Sequence, residues 1–252
     1  MRVLALIPAR GGSKSIPRKN LLMMMGRPLL SWSIFHAQES KLINRVIVST
    51  DDEEIADVAC SWGAEVPFRR PTELAGDMSP DIETFAHALR WLKQHESYEP
   101  DLVVHLRPTG PARRVDKIDE AIQKILERPE ADSLRSVSLA EQTPYKMWFL
   151  RNDGFLSPVL TLPDDAESHS IPRQMLPKAY WQNGYVDIVR PNTILNKGSM
   201  VGHNSIPFII DEQIRDVDYL DDLPRVEAEL RRILENPENS ESQNNLKDRF
   251  PV

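Results

Sequence analysis

The chain has 252 residues, 40% of them apolar, and a formal net charge of −7. That length and apolar content suit one large α/β domain with a real core, while the acidic balance argues against a nucleic-acid or membrane-surface partner. No apolar run could span a bilayer, no signal-peptide pattern opens the chain, and the lone Cys60 excludes an intrachain disulfide, all of which fits a cytoplasmic protein.

Residues 3–7 are an apolar run that reads as a buried strand. The chain then breaks into Pro8-Ala9-Arg10-Gly11-Gly12-Ser13-Lys14-Ser15-Ile16-Pro17-Arg18-Lys19-Asn20. Gly11 and Gly12 permit close backbone approach to a ligand, and turned N–H groups form an anion-binding concavity. Arg10, Lys14, Arg18 and Lys19 add four cations, with Lys19 expected as an exposed loop lysine. Such a loop suits a polyphosphate. It is neither a P-loop nor a dinucleotide fingerprint, because the Gly-Lys-Ser/Thr ending and the third glycine are missing.

Arg27-Pro28-Leu29-Leu30 is expected to open a helix. A strand at 46–50 and a helix at 53–61 follow, with Asp51 and Asp52 at the helix start and Gly63 at its stop. Cys60 is expected to be buried on that helix. A brief strand at 65–68 leads to a loop at 69–77, and a helix begins with Ser79 as N-cap and Pro80 in its first position. Its apolar stripe is Ile82, Phe85, Ala86, Leu89 and Leu92. The strand at 102–106 delivers Arg107-Pro108-Thr109-Gly110-Pro111-Ala112-Arg113-Arg114 to its carboxyl end, the edge at which open α/β sheets bind ligands. A helix at 115–127 and a strand at 133–138 complete this regular part, and repeated βα units predict a mainly parallel sheet.

The pattern changes at Glu141. From there to 179 prolines are frequent, periodicity is weak, and Tyr145, Trp148, Phe149 and Phe155 cluster. A segment this small cannot build its own core, so it either folds against its own sheet or packs as an arm on a second subunit. Alternation resumes in strands at 180–189 and 206–210, followed by Arg215-Asp216-Val217-Asp218-Tyr219 and a helix at 223–234. The tail from 236 is polar and expected to be frayed. Asp216 and Asp218 lie two apart, on one side of an extended segment, an arrangement able to hold Mg²⁺ together with substrate phosphates.

The run from Ile7 to Lys14, with Ile16-Pro17 and Lys19-Asn20, resembles the nucleotide-binding loop of acylneuraminate cytidylyltransferases, the CMP-sialic acid synthetases. Three later stretches match in family order. Arg107-Pro108-Thr109-Gly110-Pro111-Ala112-Arg113 is similar to Gln-Pro-Thr-Ser-Pro-x-Arg, departing at Arg107 and Gly110. Arg173-Gln174-Met175-Leu176-Pro177 with Asn183-Gly184 is similar to Arg-Gln-x-Leu-Pro…Asn-Gly, and Asp216-Val217-Asp218 to the terminal metal motif. The resemblance implies a Rossmann-like three-layer nucleotidyltransferase fold with a small inserted dimerisation arm at 141–179, the catalytic α/β domain occupying 1–140 and 180–235. It also implies transfer of CMP from CTP to a nonulosonic acid by a homodimer with shared sites. Arg10 and Lys19 would hold the triphosphate. Ala9, Gly11, Asn20, Ala75, Asp77 and Thr109 would complete the nucleotide site. Arg107, Lys146, Arg173, Gln174 and Asn183 would meet the sugar, the fork of Arg173 suiting its carboxylate. Asp216 and Asp218 would bind Mg²⁺, with Asp218 a candidate base. The alternatives are a Kdo or 8-amino-Kdo cytidylyltransferase, whose usual Arg-x-x-x-Gly-Lys loop ending is missing here, and a nucleotide-binding module without turnover.

Overall fold

The computed structural model describes residues 1–163, 167–211 and 215–235; the tail expected from 236 lies outside them. In chain order the elements are β1 (Val3–Pro8), β2 (Met23–Met24), β3 (Arg27–Pro28), α1 (Leu29–Glu39), β4 (Arg45–Ser49), α2 (Glu53–Ser61), α3 (Asp81–Glu96), β5 (Leu102–His105) and α4 (Val115–Leu126). They continue with β6 (Ser133–Leu139), β7 (Trp148–Leu150), β8 (Leu156–Pro158), β9 (Tyr180–Val189), α5 (Pro191–Leu195), β10 (Ser205–Ile209) and α6 (Leu223–Glu235).

One six-stranded sheet has the order β10-β6-β9-β5-β1-β4. β1 pairs in parallel with β4 and β5, and β10 with β6, while β9 runs antiparallel between β5 and β6. The sheet is therefore mainly parallel, as the βα repeat predicts. Its central strands are buried on both faces, which is why 3–7 reads as a continuous apolar run. Val3, Ala5 and Ile7 face α1, α2 and α4. Leu4 and Leu6 face α3, meeting Phe85, Leu89 and Leu92. These two packed faces make the three layers. A third cluster closes α6 onto the outer side of α1, with Val226 and Leu230 against Trp32 and Phe35.

Several local expectations differ from the structure. Arg27 and Pro28 do not begin the first helix; they pair with Met23–Met24 around Met25 (φ 50°) and Gly26 (φ 77°), a turn whose two left-handed residues match strand twist. Residues 65–68 form only a single bridge, Ile47 to Glu65. Ser79 is not the cap of α3. Its hydroxyl accepts from the Gly76 amide and donates to the Glu73 carbonyl, closing the preceding turn, so the helix begins at Asp81. Cys60 is exposed, because Ile55, Ala56 and Ala59 take the buried face of α2 and the next position turns about 100° away. The cap of that helix is Asp52, whose side chain accepts from the Ile55 amide at 3.0 Å.

The 141–179 segment carries short turns at Pro144–Lys146, Ser168–Ser170 and Arg173–Met175 and the β7–β8 hairpin. Trp148, Phe149, Leu150, Phe155 and Leu156 are all exposed, Leu150 by 75%.

Phe85 is fully buried between α3 and the sheet. Phe85→Ala is expected to cost about 3–5 kcal/mol by loss of contacts and creation of a cavity. Urea unfolding followed by circular dichroism measures this, and a loss below about 1 kcal/mol would contradict the described packing of α3.

Candidate active site

Four stretches meet at the carboxyl edge of the parallel strands. The first is the loop after β1. The Ala9 amide donates to Ser49 O at 2.9 Å, and the Gly11 amide to Asp51 Oδ1 at 2.9 Å. A Cβ at Gly11 would lie 2.8 Å from Asp52 Oδ2, so this glycine serves close packing against the β4–α2 turn rather than open approach to a ligand. Arg18 holds a left-handed backbone (φ 57°) and its guanidinium is bound by Asp52 and Glu54. Asn20 Nδ2 donates to Arg10 O at 2.9 Å, tying the loop to its own end.

A cleft of about 320 Å³ opens beside this loop. Arg10, Lys19 and Asn20 line one side, Arg70, Asp77, Asp81 and Thr84 another, and His105, Arg107 and Thr109 its inner end. Asp77 bridges Arg10 Nη1 at 2.9 Å and Lys14 Nζ at 2.6 Å, and these cations, Lys14 first, hold its carboxyl below the usual range. Lys19 is not the exposed lysine its sequence context suggests. It is buried at 8% exposure, and its ammonium sits 3.1 Å from Asp218 Oδ1, joining the first loop to the end of the chain.

Asp216 and Asp218 do not line the cleft but contact residues that do, Asp218 through Lys19 and Asp216 through Thr109, with Val217 fully buried between them. The Val217 amide donates to Thr109 O at 2.7 Å and Thr109 hydrogen-bonds the Asp216 carboxylate. A Cβ at Gly110 would lie 2.8 Å from Asp216 Oδ1, which is what the departure from serine at this position accommodates. Burial raises the Asp216 carboxyl above its ordinary value and the Asp218 charge adds to this, while Arg113 and Arg107 oppose it. Asp216 Oδ1 is buried and has no hydrogen-bond partner among the described residues. Such an orphaned acceptor beside a second carboxylate fits a divalent cation. No group of three acidic, histidine or cysteine side chains gathers among the described residues, so two carboxylates would hold the ion, the number usual for Mg²⁺ shared with phosphates.

The structure thus brings Arg10, Lys19, Asn20, Asp77, Arg107, Thr109, Asp216 and Asp218 together. Ala9 is buried beneath the loop, and Ala75 lies between the lining residues Leu74 and Gly76. The sugar set divides. Arg107 lines the cleft, but Asn183 is buried, donating to Ser138 Oγ and accepting from the Tyr185 amide. Lys146, Arg173 and Gln174 are exposed on the 141–179 segment and do not line the cleft of their own chain; Arg173 donates instead to Ala140 O at 3.1 Å. Sequence reading did not single out Arg70, His105 or Asp187. Arg70 is 5% exposed and donates to Ser49 Oγ and Ser49 O, and burial lowers its guanidinium to about 10. A histidine inside an apolar strand is the one signal that could have drawn attention to position 105.

Residues 4–152 match the profile of a family described as cytidylyltransferase. The chain is 30% identical to the post-translational flagellin modification protein B of Campylobacter coli, over 83% of this chain and 86% of that one. The chain belongs to the acylneuraminate cytidylyltransferase family. It is a nucleotidyltransferase. Another relative is the CMP-N,N'-diacetyllegionaminic acid synthase of Legionella pneumophila, 42% identical over 49% of this chain and 53% of that one. A third is a pseudaminic acid cytidylyltransferase of Campylobacter jejuni, 40% identical over 50% and 54%. Among solved structures, CMP:2-keto-3-deoxy-manno-octonic acid synthetase complexed with CTP superposes with a TM-score of 0.67 at 16% identity, covering 92% of this chain and 99% of that one. The 4-diphosphocytidyl-2C-methyl-D-erythritol synthase does so with a TM-score of 0.62 at 13% identity, covering 91% and 98%. These two likenesses establish the nucleotidyltransferase fold.

The raised carboxyl of Asp216 gives this cytidylyltransferase a signature in stability. The folded state holds that proton more tightly than the unfolded chain, whose aspartates titrate near about 3.9. Wild-type stability therefore falls as pH rises from there through the raised folded value. In metal-free buffer Asp216→Asn is expected to melt at a higher temperature than wild type at pH 7, with the difference shrinking toward pH 4. A variant less stable at pH 7 would mean that attraction to Arg113 outweighs burial.

Proposed function

We propose that the enzyme transfers CMP from CTP to the anomeric hydroxyl of a nonulosonic, sialic-acid-like 2-keto sugar acid and releases pyrophosphate. The observation that carries this reading is the contact of two cleft residues with the carboxylate pair, Lys19 with Asp218 and Thr109 with Asp216, in the cleft that Arg10 also lines, in a chain whose relatives bear the names of legionaminic and pseudaminic acid enzymes. We place the reaction in the cytoplasm, where CTP is made.

Arg10 and Lys19 neutralise and orient the triphosphate, displacing Asp77 and Asp218 as their partners. Asn20, Ala75 and Asp77 flank the nucleoside, and Thr109 fixes Asp216. Asp216 and Asp218 would hold Mg²⁺, which when bound would spread the charge of the phosphates and lower the barrier to attack at phosphorus. The anomeric oxygen bonds to the α-phosphorus, the bond from that phosphorus to the β-bridging oxygen breaks, and pyrophosphate leaves. The hydroxyl proton passes to a carboxylate, for which Asp218 is the candidate. Little covalent help is needed, since such transfers depend on positioning and charge neutralisation.

The enzyme acts as a homodimer in this reading. Leu150, Phe155 and Met175 are 75%, 69% and 73% exposed, an apolar surface that a second copy would cover. A symmetric exchange would bring Lys146, Arg173 and Gln174 of each chain over the acceptor cleft of the other.

Pyrophosphate release from CTP is expected with sialic, legionaminic or pseudaminic acids and not with Kdo. Release with Kdo alone would reassign the acceptor, and binding of CTP without release with any acid would leave a nucleotide-binding module. Lys19→Ala is expected to raise the KM for CTP by about tenfold or more, as loss of a charged hydrogen bond implies; an unchanged KM would remove Lys19 from the phosphate site. Arg173→Ala and Asp216→Asn are each expected to abolish most turnover, and mixing them should restore up to about a quarter of it, since half the dimers are mixed and each carries one intact site. No recovery after confirmed subunit exchange would assign each site to a single chain.

A further inference from the structure

Arg107 departs from the family pattern, and its surroundings are organised around that departure. Its Nη1 donates to Asp187 Oδ2 at 2.7 Å. The same oxygen lies 2.6 Å from Arg135 Nη1 and accepts from Gln182 Nε2 at 2.9 Å. Asp187 is buried at 2% exposure and shared by the two guanidinium groups, and Arg107 Nη2 has a second, looser partner in Asp81 Oδ2 at 3.9 Å, a half-exposed carboxylate that an incoming one would displace. Register explains the cluster. His105 pairs with Asp187 across β5 and β9, and Asp187 with Arg135 across β9 and β6, so all three project from the face that packs on α3.

This cation lies next to the reacting centre. The position a Cβ would take at Gly184 is 3.6 Å from Arg107 Nη1 and 3.6 Å from Asp216 Oδ2, so one small substrate group can span the two. In a 2-keto sugar acid the carboxylate carbon is bonded to the anomeric carbon that bears the attacking hydroxyl. The residue that reads the carboxylate must therefore sit beside the metal carboxylates. Arg107 does so within its own chain, whereas Arg173 is engaged by Ala140 O away from its own cleft. His105 adds a second feature. Its ring stacks edge-on against Phe85 with centroids 4.7 Å apart, and neither ring nitrogen has a hydrogen-bond partner among the described residues. It lines the same inner end and offers a neutral polar group beside the charge.

We propose that Arg107, held in place by Asp187, is the ligand for the acceptor's carboxylate, and that Asp187 is a positioning residue for it. The proposal rests on the acceptor class given under Proposed function and moves carboxylate recognition from the arm into the chain's own cleft. It leaves the arm residues to close the site over the rest of the sugar.

The experiment compares free acids with their C1 carboxamides, for sialic, legionaminic and pseudaminic acids, by pyrophosphate release. Wild type is expected to prefer the free acid by about 10- to 100-fold in kcat/KM, the worth of a charge-assisted hydrogen bond. Arg107→Gln should erase most of that preference through KM for the acid, with KM for CTP unchanged. Arg107→Lys should keep part of it. Asp187→Asn, with Arg107 still present, should lower the preference while leaving KM for CTP unchanged, which a merely structural lesion would not do selectively. A full preference in Arg107→Gln together with its loss in Arg173→Ala would overturn the proposal in favour of the arm. Equal loss of turnover for acid and carboxamide would also overturn it. If Arg107→Gln does not fold, the lysine and Asp187→Asn variants decide alone. Failure of wild type to use any of the acids would instead strike the acceptor class itself.

Discussion

The site depends on one buried guanidinium. Arg113 is 1% exposed and donates to Tyr185 O at 2.5 Å, to Ser33 Oγ at 3.1 Å and to Arg107 O at 2.8 Å. Those three partners lie on β9, on α1 and at the end of β5, so a single side chain fixes where the acceptor wall, the helix behind it and the Arg107 loop meet. Burying such a charge costs several kcal/mol unless hydrogen bonds and an opposite charge compensate. Carbonyls supply the first and Asp216 the second. Burial lowers the Arg113 group to about 10, with Asp216 opposing, so it stays protonated at neutral pH. Its charge then keeps Asp216 from rising further than burial alone would drive it. A half-buried carboxylate kept ionisable in this way suits the metal-ligand role proposed for Asp216, and Arg113 provides for it from behind.

Three cations of the first loop are held by carboxylates in the places where phosphates would act. Asp77 spans Arg10 and Lys14, and Asp218 pairs with Lys19. These pairs keep the like charges of the loop from repelling one another. The pairs of Asp77 are partly exposed and contribute little to stability, so exchanging them for a triphosphate sacrifices little of the fold. Arg18 is different in kind. Its partners Asp52 and Glu54 belong to the start of α2, so it anchors the loop to the neighbouring βα turn instead of facing the cleft.

Much of this was legible in the sequence, for local reasons. α2 carries its acidic first turn and its Gly63 stop within one short stretch, and β9 ends in the β-favouring run Tyr185 to Val189, so both ranges are legible to the residue. The basic loop and the Asp216–Asp218 pair were readable because charge stands out in an acidic chain. What stayed hidden is set by partners distant in sequence. Arg27 looks like a helix opener until Trp32 and Trp62 are seen to hold its guanidinium 5.6 Å from each ring. Lys19 looks exposed until Asp218, 199 residues later, is seen to cover it. Asp187 and Arg135 read as two ordinary strand residues until register sets them against each other.

The reversed strand brings the end of the 141–179 segment to the edge of the candidate site. Because β9 runs against its neighbours, its first residues, not its last, reach the carboxyl edge where the other strands deliver their loops. Tyr180 to Gln182 continue pairing with Leu139 to Val137 beyond a register shift near Arg135, and at this shift Asn183 ties to Ser138 while Gly184 takes φ +70°. A left-handed residue inside a strand costs a residue with a Cβ about 1–2 kcal/mol, and glycine avoids that cost while keeping the gap between Arg107 and Asp216 clear of side chain. The chain enters this kink directly from Arg173 and its neighbours. In the dimer proposed above, a second copy seated on the 141–179 segment would act on the first residues of β9, and through the kink on the spacing between Arg107 and Asp216.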